Sequence, residues 1–600
     1  MGNSLIIVPR NGNSRECEDL LTRGKSVIDC YSSGHTVSSI STNWSLAALY
    51  PRISKAGQPI TIDKDTGCWL IALGTWFHQS RNGRNDYLLK RYLAAGAAVL
   101  ACELDGFFVV VIGDAGRREV VVITDIVGSL HFYCRQLPQG MALSTSSLLL
   151  SRLAAVTLDP VGCQEFLGTG IMYEDRTFYN EVRKLPPASI TTFFNGQQST
   201  QEQYWNPTSL VPESLPAEPA SDVLWAAMGS AVTSISGRYQ SVACDLTGGY
   251  DSRAVAAAFL SSGTQFTAVV SGPHESGDVN ISTRLAAKFG LNHLHYPYAH
   301  APITPAELEL VGALTDGECD ITEYVNVARI HRDLSRRFEI SINGSFGEIA
   351  RGYWWELLFP HIGTSKTLDA GKLARQRYAV EHHPALLQLR YDFDLAEHLE
   401  KVIGRTTAGL EQYPNTFKMD ITYLRMRMQR WQGRLASSTN RIWPCLSLFM
   451  LRPVLETMLQ AKCAARKRSF LIRLMLAKYQ PPWAGYPLEH GYPALPATWR
   501  TIPRFGPLVP YYTGRVIQKL KGRFVKDARD ISENTRLDLW QMEEVREVLR
   551  PAAMRSMEIL DSDQVIHLLK ASQLPMFSQG RLWSRLLSLE WAISRDRVTA

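Results

Sequence analysis

The stretch ACDLTGGYDSRAVAAAF, residues 243–259, decides the fold of this 600-residue chain. Its apolar start predicts a buried strand, and its alanine-rich end predicts a helix. Between them, Gly248 and Gly249 let backbone N–H groups approach an anion closely, while Thr247 and Ser252 add hydroxyl donors. The N-terminus of the following helix adds a positive partial charge at the same place. The stretch therefore predicts a phosphate-binding turn between a strand and a helix.

Asp251 lies inside this turn, where a phosphate would repel its carboxylate. A Mg²⁺ ion that bridges carboxylate and phosphate oxygens removes the repulsion, so we predict that Asp251 binds magnesium. The spacing matches neither GxxxxGK followed by Ser or Thr nor GxGxxG, which excludes a Walker loop and a dinucleotide fingerprint. An ordinary Gly-Gly turn is the alternative interpretation. Strand, hydroxyl, paired glycines, Asp-Ser and helix occur in register, which favours the phosphate site.

Strands and helices alternate around this turn. Short apolar strands are predicted within 241–248, 265–272 and 338–344, with helical stretches between them. This alternation is typical of a parallel sheet with crossover helices. From about residue 365 the chain is mostly helical and rich in arginine. The interval 481–510 holds eight prolines, and we interpret it as a structured loop at the active site.

The first 206 residues have a different pattern. GCWLIALGTWF (67–77) and GFFVVVIGD (106–114) are runs of β-branched and aromatic residues that predict strands. YLLKRYLAAG (87–96) predicts a helix that ends on glycine, and Asn-Gly in SITTFFNGQQ (189–198) predicts a hairpin. This part of the chain is therefore expected to be rich in β-structure.

A proline-rich stretch separates the two patterns. Four prolines fall in the sixteen residues 206–221, which predicts an interdomain linker. We therefore divide the chain into a domain at 1–206, a linker at 207–220 and a domain at 221–600. The prediction is an α/β protein, with a β-rich domain followed by a parallel-sheet domain whose C-terminal part is helical.

Composition excludes several classes of protein. The chain is 45% apolar and 20% charged with a net charge of +7, which falls short of a dedicated nucleic-acid binder. Its apolar runs are strand-length, and its first residues lack the pattern of a signal peptide. The ten cysteines include no CxxC pair, which is typical of a reducing compartment. We expect a cytoplasmic enzyme with no membrane segment and no nucleic-acid partner.

The turn at 247–252 resembles the PP-loop, SGGxDS, of the N-type ATP pyrophosphatases, and specifically that of the asparagine synthetase family, with Thr247 in place of serine. These enzymes use ATP to adenylate a carboxylate, release pyrophosphate, and let an amine displace AMP. The resemblance implies an adenine nucleotide α-hydrolase-like sheet, with ATP and Mg²⁺ as cofactors. It places Val270, Ser271 and Gly272, at the end of the next strand, in the adenine site.

A second loop of that family, GxGGD, is matched by NGSFGE at 343–348. In the family this loop holds the pyrophosphate and a second magnesium-binding carboxylate. The resemblance therefore assigns Ser345 to the pyrophosphate, and Glu348 to the metal and to catalysis. Glu348 replaces the usual Asp, and Phe346 replaces a glycine. A solvated loop glutamate is the alternative interpretation of Glu348.

The family also has a lysine on a C-terminal helix that neutralises charge during amide formation. CAARKRSFLIRLML (463–476) is the matching region, and Lys467 is preferred to Arg468 as the catalytic residue. A solvated face of an amphipathic helix is the alternative interpretation of this basic run. Tyr353 and Glu356 are the candidates for the base that deprotonates the amine.

Residues 74–205 resemble the N-terminal glutamine amidotransferase domain of the same family, an Ntn-hydrolase-like β-sandwich. The matching stretches are GTWFH, ELDGFFVVVIGD, ITDIVGSLHFY and DRTFYNEVRKLPPAS. That domain makes ammonia from glutamine with an N-terminal cysteine that removal of Met1 exposes. Gly2 stands at this position, and Cys17 cannot become N-terminal without a longer cleavage. Because the chemistry needs that thiolate, we expect a domain without glutaminase activity.

Family members without the cysteine include β-lactam synthetases and lasso peptide cyclases. The cyclases adenylate an Asp or Glu side chain of a ribosomally made peptide, whose N-terminal amine then attacks to form a macrolactam. The length of this chain and its arginine-rich, aromatic C-terminal third favour the larger, peptide substrate. The aromatic residues considered for a peptide groove are Trp431, Trp443, Trp483, Tyr511 and Tyr512.

We therefore predict a lasso peptide cyclase. Its substrate is a precursor peptide, and its partners are a leader-binding protein and a leader peptidase. Two alternatives remain open. One is another asparagine synthetase-like amidoligase or amidotransferase, with a small-molecule, β-lactam or polymer substrate. The other is a catalytically degenerate scaffold protein, which Gly2 and the altered loop at 343–348 suggest.

Overall fold

The computed structural model describes residues 3–10, 17–24, 38–50, 60–80, 83–297, 301–380, 386–508 and 533–594. Its first half contains twelve strands that form antiparallel pairs. They are β1 Asn3–Pro9, β2 Ser38–Ser41, β3 Leu46–Tyr50, β4 Thr61–Ile62, β5 Trp69–His78, β6 Leu104–Asp114, β7 Glu119–Thr124, β8 Tyr133–Leu137, β9 Gly140–Ser144, β10 Val182–Lys184, β11 Ser189–Phe194 and β12 Gln197–Gln203. They make two six-stranded sheets, in the orders β10-β8-β9-β1-β3-β2 and β12-β11-β7-β6-β5-β4.

The two antiparallel sheets pack face to face. Ile6 of β1 and Val109 of β6 belong to one apolar cluster between the sheets. Phe108 and Val110, on the other face of β6, pack in a second cluster with helix Asn85–Glu103. Strand β6 is therefore buried on both faces, which explains its unbroken apolar sequence. The predicted β-sandwich is confirmed.

The local turn signals of this region have the expected geometry. Asn195 and Gly196 connect β11 to β12 with φ values of 49° and 73°, the left-handed pair that a two-residue type I′ hairpin requires. Helix Asn85–Glu103 bends at Gly96, where φ is 81°. The sequence predicts that this helix ends at Gly96. Instead the glycine makes a kink, and a second helical stretch continues to Glu103.

The second half contains a five-stranded parallel sheet. Its strands are β13 Val242–Asp245, β14 Thr267–Ser271, β15 Asn292–Tyr296, β16 Ile340–Asn343 and β17 Cys445–Ser447. Their order is β15-β14-β13-β16-β17, and each neighbouring pair is parallel. Strands 13 to 15 extend the sheet in one direction and strands 16 and 17 in the other. The loops after β13 and β16 thus meet at a topological switch point, where open α/β sheets bind ligands.

Helices cover this sheet and make up the C-terminal part of the chain, as predicted. The α-helices are α1 Asn85–Glu103, α2 Ser147–Arg152, α3 Pro160–Thr169, α4 Ala217–Ser236, α5 Asp251–Ser261, α6 Gly277–Phe289, α7 Pro305–Thr315, α8 Ile321–Arg337, α9 Glu348–Arg351, α10 Ala370–Leu373, α11 Leu395–Thr407, α12 Asn415–Thr422, α13 Gly433–Ile442, α14 Arg452–Gln460, α15 Cys463–Arg466, α16 Phe470–Tyr479, α17 Pro481–Ala484, α18 Glu533–Gln541, α19 Glu543–Val548, α20 Ser562–Ser572 and α21 Gly580–Ile593. Residues Ala374–Tyr378 and Tyr423–Gln432 are π-helical. None of the described helices is long and apolar enough to cross a membrane.

The proline-rich stretch before α4 is attached to the second half. Leu215 pairs with the segment after α14, donating its N–H to the Gln460 carbonyl (2.9 Å) and accepting from the Lys462 N–H (2.9 Å). Helix α4 begins at Ala217, four residues before the start that the sequence predicts. Pro219 lies in its first turn, where proline costs no hydrogen bond. The sequence prediction treats this proline as a sign of an irregular linker.

A buried polar cluster joins the two halves, and we call it the Asp316 cluster. Asp316 Oδ2 accepts from Arg434 (3.1 Å) and from Arg441 (2.8 Å), while its Oδ1 accepts from Ser146 Oγ (2.5 Å) and from Arg441 (3.0 Å). Arg441 also donates to the carbonyl of Thr145 (2.6 Å). The three charged side chains are at most 3% exposed. Ser146 and Thr145 follow strand β9, so this cluster fixes the sandwich to the parallel-sheet half.

Candidate active site

The turn after β13 is closed by its own hydroxyl groups. Ser252 Oγ accepts the Thr247 N–H (3.0 Å) and lies 2.9 Å from Thr247 Oγ1. Thr247 Oγ1 also accepts the Gly249 N–H (3.3 Å). Helix α5 begins at Asp251, so its N-terminus faces the same turn. The strand, turn and helix thus stand where the sequence predicts them, with donors gathered at one point.

The backbone of Gly248 shows how this turn presents an N–H group to an anion. Its N–H donates to Asp278 Oδ1 (2.8 Å), a carboxylate oxygen from the first turn of α6. The Gly248 carbonyl accepts the Glu489 N–H (3.2 Å) from the proline-rich interval. A carboxylate oxygen therefore already accepts the N–H group that the sequence assigns to a phosphate. This contact demonstrates that the amide is oriented toward an anionic oxygen.

The described part of the proline-rich interval, 481–508, packs against this turn. Arg253, the third residue of α5, donates to the carbonyls of Tyr486 (2.6 Å) and Pro487 (2.8 Å). Trp483 donates its indole N–H to the Arg253 carbonyl (3.0 Å). The prediction of a structured loop beside the site is confirmed for these residues. The basic run at 515–529 lies outside the described residues.

The loop after β16 approaches the first turn so closely that only glycine fits at two positions. A Cβ atom on Gly344 would lie 2.6 Å from the Ser252 nitrogen. A Cβ atom on Gly347 would lie 2.4 Å from Asp251 Cγ. Both distances are shorter than real Cβ contacts, so the two loops depend on glycine to meet. This contact brings Glu348, at the start of α9, beside Asp251.

Asp251 and Glu348 form a carboxylate pair with Arg351 between them, and we call this the Asp251 pair. Arg351 Nη2 lies 2.7 Å from Asp251 Oδ2 and 4.0 Å from Glu348 Oε1. The other two oxygens, Asp251 Oδ1 and Glu348 Oε2, are buried and have no hydrogen-bond partner among the described residues. Burial raises the pKa of Asp251 to about 7; Arg351 opposes the rise and Glu348 adds to it.

These two unpartnered oxygens fit a magnesium ion. Mg²⁺ prefers oxygen ligands and is usually held by one or two carboxylates together with substrate phosphates. The described residues contain no cluster of three His, Cys, Asp or Glu side chains that could hold a metal by itself. Two carboxylates on adjoining loops are thus a donor set that suits Mg²⁺ together with phosphate oxygens. Arg351 lies on the other oxygen of each carboxylate, Asp251 Oδ2 and Glu348 Oε1.

Ser345 has a defined place in the second loop. Its N–H donates to Asn343 Oδ1 (3.1 Å) and its carbonyl accepts from Ser447 Oγ (2.5 Å). Its hydroxyl reaches Gln432 Oε1 (3.4 Å). The residues predicted for the adenine site end the neighbouring strand β14. Val270 there is buried, Ser271 is exposed, and the Gly272 carbonyl accepts from His295 Nε2 (2.8 Å).

Phe346 occupies the position where the resembling family has glycine, and it keeps a glycine-like backbone with φ 74°. Such a conformation is strained for a bulky residue. The ring is 1% exposed and packs against Phe107 of β6, at 6.4 Å between ring centroids. The exchange of glycine for phenylalanine therefore joins the second loop to the sandwich domain.

Lys467 does not lie on a continuous helix, contrary to the sequence expectation. Helix α15 ends at Arg466, and Arg468 and Ser469 adopt left-handed φ values of 55° and 60° before α16 begins. Lys467 is exposed, and its turn packs against α9, the helix that begins with Glu348.

The two candidates for the base differ in their surroundings. Tyr353 is 52% exposed, with the Arg351 guanidinium 5.6 Å from its ring centre. Glu356 is 63% exposed and forms an ion pair with Arg377. Tyr353 therefore stands next to the Asp251 pair, whereas Glu356 is engaged at the surface.

The predicted aromatic groove is wrong for two of its members. Trp443 and Trp483 are fully buried in the apolar core, so neither presents its ring to a substrate. Trp431 is partly buried and stacks with Arg427, at 4.2 Å from the ring centre. Tyr511, Tyr512 and Gly2 lie outside the described residues. Sequence alone does not separate core tryptophans from exposed ones, because both follow apolar periodicity.

Sequence reasoning missed three charged residues of the site. Arg351 pairs with Asp251, and Asp278 accepts from Gly248. The side chain of Asp245, the last residue of β13, has no hydrogen-bond or ion-pair partner among the described residues, and burial raises its pKa to about 7. A charged residue that ends an apolar strand just before the turn was the available signal for Asp245. Nothing in the sequence pointed to Arg351.

One comparison with known proteins matches part of the first half. Residues 77–205 match the sequence model of a glutamine amidotransferase domain, the stretch that spans β6 to β12. No curated protein sequence matches the chain.

Two solved structures resemble the chain distantly. Glutamine phosphoribosylpyrophosphate amidotransferase from B. subtilis, complexed with ADP and GMP, is 8% identical, with a TM-score of 0.23. The match covers 49% of this chain and 65% of that one, so less than two thirds of its length is spanned. A structure described as the allosteric regulatory enzyme of purine biosynthesis is 9% identical over 50% of this chain and 82% of its own, with a TM-score of 0.25. The domain assignment rests on the sequence match.

Proposed function

We propose that the chain is an ATP-dependent, AMP-forming carbon–nitrogen ligase of the asparagine synthetase type. One observation carries the proposal. Asp251 and Glu348 project from the loops after β13 and β16 and each keeps an unpartnered, buried oxygen beside a turn rich in anion donors. A structural ion pair would satisfy such oxygens, so their availability favours a site that binds a charged ligand.

The residues of the first turn have defined roles in this proposal. Thr247, Gly248, Gly249 and Ser252 hold the pyrophosphate of ATP through their N–H and hydroxyl groups, and Ser345 adds a donor from the second loop. Asp251 and Glu348 hold Mg²⁺. When bound, the metal neutralises charge on the leaving pyrophosphate, the main electrostatic contribution to such a displacement. Val270, Ser271 and Gly272 form the edge against which the adenine lies.

Arg351 holds the Asp251 pair together when no ligand is present. Its guanidinium lies on Asp251 Oδ2, so Asp251 keeps its position despite the repulsion of Glu348. Lys467, exposed beside α9, stabilises negative charge as the amine attacks the activated carboxylate. Tyr353 is the candidate for accepting the amine proton, because it stands next to the pair and is half-exposed.

The amidotransferase-like domain serves in this proposal as a scaffold without glutaminase activity. Asn3, where β1 begins, is buried and accepts from Thr145 Oγ1 (3.1 Å). Thr145 is itself fixed by Arg441 of the Asp316 cluster. Cys17 is fully buried, at 3.8 Å from the Gln139 carbonyl. The attacking amine therefore comes from the substrate.

For the substrate, we propose a peptide whose Asp or Glu side chain is adenylated and joined to its own N-terminal amine, as in lasso peptide cyclases. The precursor peptide, a leader-binding protein and a leader peptidase are the partners of this proposal, in a cytoplasmic pathway. Tyr353 and Phe359, which follow Glu348 in the chain, are 52% and 76% exposed. The exposed ring of Tyr353, next to Arg351 of the Asp251 pair, suits a substrate that extends beyond the nucleotide.

Pyrophosphate exchange tests the ligase. Full-length protein with ATP, Mg²⁺ and a candidate acid is expected to exchange labelled pyrophosphate into ATP and to produce AMP. Asp251→Asn is expected to lower exchange about 10²–10³-fold, whereas Glu397→Gln, which changes an exposed carboxylate on α11, leaves it unchanged. Formation of ADP, or wild-type exchange by Asp251→Asn, contradicts the proposal.

Mass spectrometry tests the substrate. A leader-free peptide incubated with the protein, ATP and Mg²⁺ is expected to lose one water and to become resistant to N-terminal sequencing. Loss of water without a blocked N-terminus contradicts macrolactam formation. Exchange with a small acid but with no peptide points to another amidoligase. A folded protein without exchange for any acid supports the degenerate scaffold.

A further inference from the structure

A cavity of about 360 Å³ lies between the sandwich and the helical part of the chain, away from the Asp251 pair. Its sandwich side is formed by residues such as Pro186, Pro187 and Gln203. Its other side is formed by helix α11 and by the π-helical segment Tyr423–Gln432. Two arginines of that segment, Arg425 and Arg430, line the cavity among mostly apolar neighbours.

Neither arginine has a partner in the described part of the chain. Arg425 Nη1, Arg430 Nε and Arg430 Nη1 are buried atoms without a hydrogen-bond partner. Burial lowers the pKa of both guanidinium groups to about 10, and Arg430 lowers that of Arg425 further by repulsion. A buried cation without a counter-ion is costly for a fold, so two of them facing one cavity require an explanation.

The nearby carboxylates act on these arginines only from a distance. Asp175, Glu165 and Glu174 attract Arg430, and Asp125 attracts Arg425, but none of them forms an ion pair with either guanidinium group. Glu174, at the cavity wall, forms a bidentate pair with Arg405 (2.7 and 2.9 Å). Glu165 pairs with His398 (2.7 Å). Asp125 accepts backbone N–H groups, including those of Val127, Ser129 and Leu130.

A further buried cation adds positive charge on the sandwich side. Lys184, the last residue of β10, is 5% exposed, and repulsion from Arg430 contributes to a pKa lowered by burial to about 7. Arg425 and Arg430 at the cavity and Lys184 behind it are thus three buried cationic groups, none of which forms an ion pair with a described residue.

We propose that this cavity binds an oxyanion, a carboxylate or phosphate carried on a small apolar group, between Arg425 and Arg430. The guanidinium fork matches both kinds of headgroup, since each presents two oxygens to paired N–H donors. The apolar lining, with Val402, Leu410 and Ile421, suits the body of such a ligand. This site is separate from the phosphate turn of the proposed function.

The arginines stand on a segment whose two ends touch the candidate active site. Tyr423 begins the segment and faces Glu348, which adds to the rise that burial causes in the pKa of Tyr423. Gln432 ends the segment and accepts from Ser345 Oγ (3.4 Å). π-helical turns occur often at functional sites. An anion bound in the middle of the segment can therefore shift the conformational equilibrium of the candidate active site through both ends of the segment.

Anomalous diffraction from the full-length protein tests the location directly. Crystals soaked in 4-iodobenzoate or in 4-iodophenyl phosphate are expected to show an iodine peak in the cavity, with the headgroup between Arg425 and Arg430. The two soaks distinguish a carboxylate ligand from a phosphate ligand. The absence of an iodine peak in the cavity with either compound overturns the proposal, whether or not the compounds bind elsewhere.

Calorimetric titration with the better of these two anions tests the arginines. Arg425→Met and Arg430→Met are each expected to weaken binding about tenfold or more, because each removes charge-assisted hydrogen bonds. Arg427→Met is the matched control on the same segment, since Arg427 stacks on Trp431, and binding is expected to persist. Ser252→Ala, in the phosphate turn, leaves this binding unchanged. Equal weakening by Arg427→Met overturns the proposal, and so does unchanged binding by the double variant Arg425→Met/Arg430→Met.

Thermal unfolding distinguishes a binding role of the two arginines from a structural role, because the two roles predict opposite shifts of the unfolding temperature. Without ligand, Arg425→Met and Arg430→Met are expected to unfold at a higher temperature than the wild type, since each removes an uncompensated buried charge. With ligand, the order is expected to reverse, because the anion stabilises only the protein that binds it. A lower unfolding temperature for both variants without ligand assigns the arginines to the fold and overturns the proposal.

Discussion

The Asp316 cluster and the Asp251 pair combine the same groups, carboxylates and arginines, with opposite results. Both oxygens of Asp316 accept hydrogen bonds, from Ser146, Arg434 and Arg441. Asp251 has one oxygen on Arg351, and its other oxygen has no partner among the described residues. The saturated cluster lies between the two halves of the chain, and the unsaturated pair lies at the sheet edge.

The pKa directions of the two aspartates follow from this difference. Burial opposes ionisation of Asp316, but Arg441 and Arg434 outweigh it and hold its pKa below the ordinary value. Burial also opposes ionisation of Asp251, and there the single contact with Arg351 is too little, so the pKa rises to about 7. A buried carboxylate whose oxygens are all used is structural, whereas one with a free oxygen is available to a ligand.

The largest effect is expected on stability, when a substitution breaks the saturated Asp316 cluster. Asp316→Ala leaves Arg434 and Arg441 buried without their main counter-ion, and we expect a loss of about 3–5 kcal/mol in the free energy of unfolding. Chemical denaturation of the full-length protein measures it. Asp65→Ala, at an exposed position in the turn after β4, is the control and is expected to change stability by less than about 0.5 kcal/mol. A similar loss in both variants argues against the cluster as the connection between the halves.

The next effect concerns the Asp251 pair and appears in activity. Asp251→Asn removes a magnesium ligand but keeps the shape, and we expect pyrophosphate exchange to fall about 10²–10³-fold. The unfolding free energy is expected to change little at low pH, because Asn resembles the protonated carboxyl, and to be higher in the variant near pH 7, where the wild type carries the cost of ionising the buried Asp251. If the variant loses as much stability as Asp316→Ala, the unsaturated pair is structural after all.

The raised pKa of Asp251 predicts a pH effect on stability, which the same variant tests. The folded pKa of Asp251, about 7, lies above its ordinary 3.8, so the folded state binds the proton more tightly between these values. The contribution of Asp251 to stability is therefore full below its ordinary pKa and is lost as the pH rises toward about 7, with a slope of at most about 1.4 kcal/mol per pH unit. Denaturation curves of wild type and Asp251→Asn between pH 4 and 8 measure the difference. A difference that does not vary with pH contradicts this prediction.

Two glycine substitutions test whether the close approach of the two loops positions Asp251. Gly347→Ala places a Cβ 2.4 Å from Asp251 Cγ, so the carboxylate must move. We expect exchange to fall by up to about a hundredfold. Gly229→Ala, inside α4 with no atom within 4 Å of its added Cβ, is expected to stabilise the protein by about 0.4–1 kcal/mol. Wild-type exchange by Gly347→Ala shows that the loops do not need this contact.

The sequence allowed the local elements of both halves to be predicted, and the reason is physical. The strand, glycine turn and helix around Asp251 depend on neighbours in sequence, and so does the Asn195-Gly196 hairpin. Arg351 and the partners of Asp316 depend on which loops meet in space, which no local pattern encodes. The break at Arg468 escaped prediction because the apolar spacing on each side continues to look helical.

The smallest expected effect concerns Lys467, the exposed lysine beside α9. If Lys467 stabilises charge during amine attack, Lys467→Ala slows amide formation and leaves pyrophosphate exchange intact, since exchange reports only the first step. The loss is expected to be at most about tenfold, because solvent screens an exposed ammonium group. Lys462→Ala, at an exposed position five residues earlier, is the matched control. If Lys467→Ala and Lys462→Ala form the amide at equal rates, Lys467 is a solvated residue at a helix break. Amide formation then depends on groups that lie closer to the Asp251 pair.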